Sequence, residues 1–428
     1  MIRSGPTVLI DGDVGRLRRG SGLSTYARTL STILESLGMR AGSLIGSPAP
    51  KRGDELLDAV SAADTQPSTS GVRQRTETLF RMVDGLSSPV ARARRLPDLA
   101  VSLNPTEWNG LGPDYLAPNL FRNAHYRHMF LRQFTEVHTT DPVDILHLTS
   151  PLPIQMRNVK TVTTIHDLIP IRLPQTTTDN KAEYVSRVRT SVKNSDLIVT
   201  VSEFSKREIV EILNVDPEKV VVTYQPPTIA PLTEDENSTL ASRLFKYGLD
   251  KDGYLLFVGA IEPKKNVRRL IEAYLEVDTA CPLVLAGPMA WLWKEEIGDL
   301  DTVLGDAARR RIRILGYVSR ADLRWLYAGA RGFAFPSLFE GYGLPPLDAL
   351  NMGVPTLVSN TSSLPEVCGD AALYVDPYDR SAITAGLERI LEDQDLRDKL
   401  RCEGPRQASL RSLSDYREAL ARTYACLA

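Results

Sequence analysis

FAFPSLFEGYGLPPLDA, residues 333–349, is the stretch whose reading decides the fold. An apolar run, Gly332 to Pro336, is short enough to be a strand buried on both faces. A loop follows, with Glu340, Gly341, Tyr342 and Gly343. Pro345 and Pro346 then open a helix, where a missing N–H and a fixed φ cost nothing. Asp348 falls within the first turn or so of that helix. Two carboxylates therefore stand eight positions apart, with two glycines and a helix start between them. An ionised carboxylate is a pure acceptor and holds hydroxyl protons. Exposed backbone N–H groups at a helix start hold phosphate. A sugar nucleotide carries both kinds of group.

Working outward, the same alternation of short apolar runs and helical stretches recurs on either side. After the stretch come strands at 356–358 and 372–375; before it, strands at 254–258, 283–286 and 312–315. A second series starts at Thr7–Ile10 and continues through 144–148, 159–165, 197–201 and 220–224. Helices are expected from Ser24 to about Leu37, at 119–137, 179–193 and 203–213, and at the tail 414–427. Two such series imply two doubly wound parallel sheets. In such sheets ligands bind at the carboxyl ends of the strands. Several prolines from Pro226 to Leu232 mark the linker between them. Residues 51–71 read as a polar loop.

The decisive stretch resembles the donor-sugar motif of the retaining nucleotide-sugar glycosyltransferases of group 1, or family 4. That motif is usually Glu, seven residues, Glu; here the second acid is Asp348. The resemblance continues through FVGAIEPKKNVRRLIEAY (257–274), LVLAGPMAWLWKEEI (283–297), ILGYVSRADLRWLYAGA (314–330) and SNTSSLPEVCGDAALYVDPYD (359–379). It implies the GT-B architecture, an α/β fold of two Rossmann-like domains facing a central cleft. The first, residues 1–228, would take the acceptor, and the second, 229–413, the donor. The last helix, 414–428, would return to the first domain.

The resemblance also assigns roles. Glu340 would hold donor-sugar hydroxyls and Asp348 the ribose. The N–H groups of Gly341, Tyr342, Gly343 and Leu344 would hold the sugar edge and β-phosphate. Lys265, helped by Lys264, would neutralise the leaving diphosphate. Tyr317 and Val318, after Gly316, would touch the base through their backbone, with Pro288 lining the same pocket. His166, at the end of a strand in TIHDLIP, would contact the sugar near its reacting carbon, and His147 is a lesser candidate on the same rim. Gly22 would face the cleft at the start of the first helix. Relatives of these segments transfer mannose or deoxyhexoses in surface polysaccharide assembly. The donor implied is thus GDP-mannose or a similar GDP-sugar, and the acceptor a glycan or polyprenyl-linked glycan. No first-domain acid has a nucleophile's context, so retention is expected from front-face attack without a covalent intermediate.

Composition narrows the classes. A net charge of −2 gives no field toward nucleic acid. The four cysteines, Cys281, Cys368, Cys402 and Cys426, have no paired spacing and read as the reduced thiols of a cytoplasmic protein. No apolar run is long enough to span a membrane. The arginine-rich stretch Val72–Leu96 reads as an amphipathic helix packed on its own domain; peripheral docking on the inner face of the cytoplasmic membrane is the alternative. Asp-x-Asp pairs at Asp11/Asp13, Asp299/Asp301 and Asp393/Asp395 are set against two lysines available for the diphosphate, and no metal or other cofactor is expected. Two other functions remain open: a nucleotide-sugar epimerase, which needs acid–base groups in the first domain, and a non-catalytic sugar-nucleotide-binding protein.

Overall fold

A computed structural model describes residues 5–12, 22–46, 89–96, 114–298 and 311–427. Within them the strands form two sheets. The first contains β1 (Thr7–Asp11), β2 (Arg40–Ile45), β3 (Val90–Arg95), β4 (Tyr115–Leu116), β5 (Thr135–Thr139), β6 (Ile145–Leu148), β7 (Ile154–Gln155), β8 (Lys160–Thr164), β9 (Leu197–Thr200) and β10 (Val220–Val222). Their order is β10-β9-β8-β6-β1-β2-β4-β3-β5-β7, parallel except where β3 meets β4. The second contains β11 (Leu255–Val258), β12 (Leu283–Ala286), β13 (Ile312–Gly316), β14 (Gly332–Phe335), β15 (Thr356–Ser359) and β16 (Leu373–Val375). It is all parallel, in the order β13-β12-β11-β14-β15-β16.

Counted within the second sheet, that order is 3-2-1-4-5-6, the doubly wound Rossmann order. Its direction of winding reverses between β11 and β14, so the loops leaving those strands diverge there and open a crevice. β11 leads into Gly259–Lys265 and β14 into Pro336–Gly343. The strands carry no polar side chain across β11, β12 and β14, and all three are buried throughout. Parallel strands covered by helices on both faces read in this way as continuous apolar runs.

The final helix, Leu413–Ala425, is started by a Ser412/Asp415 capping box. Its Tyr416, Leu420 and Tyr424 pack with Val8 and Ile10 of β1 and with Tyr26 and Leu30 of the helix Gly22–Ser36.

Two local expectations are corrected. Val90–Arg95, read as the end of a helix, is β3. Its alternation decides the matter: Ala91 and Ala93 turn inward while Arg92 and Arg94 are exposed, a period of two. Residues 72–88 of that stretch lie outside the described residues, as do 51–71, Asp13, Gly20 and Asp299/Asp301. The helix expected over 119–137 stops at Leu131. Arg132 adopts a left-handed conformation there, φ 56, and the β-branched Thr135, Val137 and Thr139 enter β5.

Candidate active site

Lys264 and Lys265 lie in a 3-10 turn after β11. The next residue, Asn266, is left-handed (φ 59), and its side-chain amide donates to Pro336 O at 2.9 Å and Pro377 O at 2.8 Å. Leu338 N donates to Lys264 O at 2.8 Å. These bonds tie the loop after β11 to the loop after β14. As a result Lys265 Nζ meets Glu340 Oε1 at 2.6 Å, with the ammonium over the Phe335 ring, 4.8 Å from its centroid. Both residues are largely buried.

Lys264 pairs with Glu262, 3.4 Å away. Burial works against the Lys264 ammonium, but the charges of Glu262, Asp167 and Glu340 outweigh it and hold its pKa above the ordinary lysine range. Burial raises the Glu262 carboxyl, with Lys264 and Lys265 opposing. Two cations and three acids thus converge at the switch point. Glu262 is a member that sequence reasoning missed; it lies within the quoted segment, but nothing local distinguishes it from a surface acid.

Gly343 has φ 114, and a Cβ there would meet Leu364 Cδ2 at 2.7 Å, so this turn requires glycine. It starts the helix Leu344–Asn351. Ser363 Oγ holds the loop from behind, donating to Glu340 O at 2.9 Å and Tyr342 O at 2.6 Å. Glu340 N donates to Ser362 Oγ at 3.0 Å.

Across the cleft, His166 follows β8. Its Nε2 is 3.0 Å from Thr149 O; a carbonyl only accepts, so Nε2 carries the proton and Nδ1 is the free lone pair. Burial lowers its pKa, with Asp167 opposing, and the ring is neutral at pH 7. Tyr26 meets it edge to face, centroids 4.8 Å apart. The two halves approach closely here: a Cβ on Gly341 would stand 2.3 Å from His166 O. Ser205 Oγ lies 2.9 Å from His166 O and 3.0 Å from Gly341 O, and Ser202 Oγ donates to Gly341 O at 2.7 Å.

A second bridge was equally invisible in the sequence. Glu366 accepts from Glu203 N at 2.7 Å, Phe204 N at 2.9 Å and Tyr224 OH at 2.7 Å. A carboxylate from the second sheet's half thereby caps the helix Glu203–Leu213 of the first. Partners separated by 142 to 163 positions leave no local signature.

The remaining expected residues divide. Tyr317 is half exposed and Val318 buried; Gly287 N donates to Gly316 O at 2.8 Å, which places their turn beside Pro288. Gly22 is the exposed first residue of the helix Gly22–Ser36, with nothing within 4 Å of a Cβ. His147 is corrected: it is fully buried, hydrogen-bonded to Tyr424 OH and to Thr164 Oγ1 (2.8 Å), and belongs to the core under the last helix. Asp348, expected to hold the ribose, is engaged by the chain itself in this structure. Its carboxylate is buried and accepts from Thr228 N at 2.5 Å, Thr228 Oγ1 at 2.7 Å and Ile229 N at 2.9 Å, so in this structure it holds the linker. Asp11 is likewise spent, on Thr149 N and Oγ1. Among the described residues no group of three or more His, Cys, Asp or Glu is arranged to hold a metal ion.

Comparison with known proteins agrees with this architecture. Residues 243–407 match the family described as glycosyl transferases group 1, and residues 20–226 match glycosyltransferase family 4. The chain is 37% identical over 259 residues to O-antigen chain mannosyltransferase B of Escherichia coli, covering 58% of this chain and 66% of that protein. It is 31% identical over 247 residues to the serotype-specific mannosyltransferase WbdA of Escherichia coli, covering 55% of this chain and 29% of the relative. The chain therefore spans under two thirds of either relative's length. Sucrose-phosphate synthase from Thermosynechococcus elongatus superposes with a TM-score of 0.67 at 14% identity, over 99% of both chains; that likeness is one of fold.

Proposed function

The chain belongs to the group 1 and family 4 glycosyltransferases, and we propose that it moves a hexosyl unit from a nucleoside-diphosphate sugar to a glycan hydroxyl. The observation that carries this reading is the Lys265–Glu340 pair at the switch point, opposite His166. A cation for a diphosphate and an acceptor for sugar hydroxyls sit side by side, as such a donor needs. The donor we propose is GDP-mannose or a similar GDP-sugar; the relatives named as mannosyltransferases support the sugar. The acceptor is a glycan or a polyprenyl-linked glycan at the inner membrane face. Among the described residues no helix is long and apolar enough to cross a membrane; the membrane contact we propose is peripheral.

The chemistry follows from the groups available. As the anomeric C–O bond to the diphosphate breaks, Lys264, Lys265 and the N–H groups of 341–344 take up the developing negative charge. The acceptor oxygen bonds to the same face of the carbon, giving retention, and its proton passes to a β-phosphate oxygen. Glu340 and His166 Nδ1 hold hydroxyls of the sugar. The serine and Glu366 bridges keep the halves together and water out. No metal enters these steps. An epimerase would need acid–base groups in the first half to take a proton off and put it back, and only His166, with Nδ1 free, and its neighbour Asp167 offer one. A proton NMR assay with GDP-mannose, α-mannobiose and EDTA tests the reading: an α-linked product supports it, and a β-linked product or free epimerised sugar nucleotide counts against it.

A further inference from the structure

We propose that Trp291 is a stacking platform for a hexopyranose ring of the acceptor glycan. This inference rests on the transferase reading but adds a site to it. The indole is 40% exposed, although its only polar atom is satisfied: Nε1–H donates to Thr176 O at 2.7 Å. The bond anchors one edge of the ring, and the residue stays 40% exposed around it. Trp291 belongs to the second half and Thr176 to the first, so the platform is assembled only when the cleft is closed.

Its position is set by backbone bonds. Ile261 N donates to Pro288 O at 2.9 Å, Ala290 N donates to Ile261 O at 3.1 Å, and Ile261 bridges Met289. The segment carrying Trp291 is therefore pinned beside the one that leads, three residues later, to Lys264. On the other wall, Pro174–Asn180 reads PQTTTDN, and Gln175, Thr178 and Asp179 are exposed. The cation that follows, Lys181, is spent on Thr177 O at 2.8 Å and Thr177 Oγ1 at 2.5 Å.

A fixed aromatic face beside amide, hydroxyl and carboxylate groups suits a ligand with an apolar C–H face and a hydroxyl edge. A pyranose is such a ligand: its ring hydrogens cover the indole and its hydroxyls meet Gln175 and Asp179. A phosphate would find no uncommitted cation on this wall, which separates the platform from the diphosphate site at Lys264 and Lys265.

The test uses the full chain with GDP-mannose and α-mannotriose. Trp291→Ala removes the face, and Trp291→Phe keeps an aromatic face while deleting the N–H. The alanine variant should raise the acceptor KM about tenfold, the scale of a lost stacking contact, with the donor KM within about twofold. The phenylalanine variant should recover most of the acceptor affinity. Tryptophan fluorescence titrated with α-mannotriose, at saturating GDP, should respond in the wild type and not in Trp291→Phe. An unchanged acceptor KM in Trp291→Ala, or a rise confined to the donor KM, overturns the proposal. If the wild type transfers nothing, the fluorescence titration decides: a response lost in Trp291→Phe keeps the glycan platform while the transferase reading falls, and no response overturns it.

Discussion

Glu340 reaches back across 75 positions of sequence to Lys265, whose ammonium lies 2.6 Å from its Oε1. On the proposed function, a donor diphosphate entering here would compete with Glu340 for the lysine and free the carboxylate for the sugar. Both partners are largely buried, so removing one strands the other's charge. Lys265→Met and Glu340→Gln should each destabilise the fold by about 3 kcal/mol, read by urea denaturation. The double variant should regain much of that loss. Activity should fall about 100-fold or more in each single variant and stay lost in the double. Recovery of activity in the double variant would show that the pair is structural only.

At Gly341 the halves lie close together: a Cβ there would stand 2.3 Å from His166 O and 3.0 Å from Asp167 Cβ. Neither contact is with a flexible side-chain end. Gly341→Ala should hold the cleft open, lowering kcat and enlarging the radius of gyration in solution scattering. A variant with wild-type dimensions and kcat would contradict the geometry.

Glu366 should act at the second bridge by capping. Glu366→Ala removes the acceptor of Glu203 N, Phe204 N and Tyr224 OH, a cap worth about 1–2 kcal/mol. Because the cap spans the halves, calorimetry should show their unfolding transitions moving apart. A single unchanged transition would mean that the bridge carries no coupling.

Asp348 distinguishes linker from ligand. If its carboxylate holds Thr228 and Ile229, Asp348→Ala leaves one buried and one half-buried N–H group unpaired, and stability should fall by about 2–3 kcal/mol. A raised donor KM at unchanged stability would restore the ribose role.

Two buried histidines, His128 and His147, and the half-buried His166 set the acid response. Burial lowers the pKa of His128 (Glu183 opposing) and of His166 (Asp167 opposing), and takes His147 from 6.5 to about 3, with the charge of His166 adding to the effect. A histidine lowered in the fold binds its proton first in the unfolded chain. The stability it lends is whole above pH 6.5 and falls as pH drops below that value toward the folded pKa. Denaturation midpoints should therefore decline from pH 6.5 to 5, and His147→Asn should flatten part of that slope. An unaltered slope would show that His147 is not neutral and buried in solution.

Much of this was legible before any coordinate. The β11 and β14 loops read correctly because buried parallel strands are plain apolar runs, and because glycine and proline punctuate the turn at 341–346. What escaped was whatever depends on distant partners. Val90–Arg95 reads in sequence as the end of the arginine-rich helix; its alternation of small and charged residues is short, and pairing with β5 and β4 gives it meaning as a strand. His147 and His166 both end a strand of the same sheet; only the packing of Tyr424 shows that one faces the core. Ser202, Ser205, Glu366 and Trp291 acquire their meaning from the other half of the chain, and no periodicity reports that.

The central claim is that Lys265 holds the diphosphate of a sugar nucleotide without a metal. The most direct test is a thermal-shift series of GDP, UDP, ADP and dTDP, each with Mg²⁺ or EDTA, on wild type and Lys265→Ala. Binding raises the melting temperature in proportion to RT ln(1 + [L]/Kd). One nucleoside diphosphate, GDP, should stabilise the wild type equally in EDTA and in Mg²⁺, and lose that effect in Lys265→Ala. Stabilisation that requires Mg²⁺, or that survives unchanged in the variant, would contradict it.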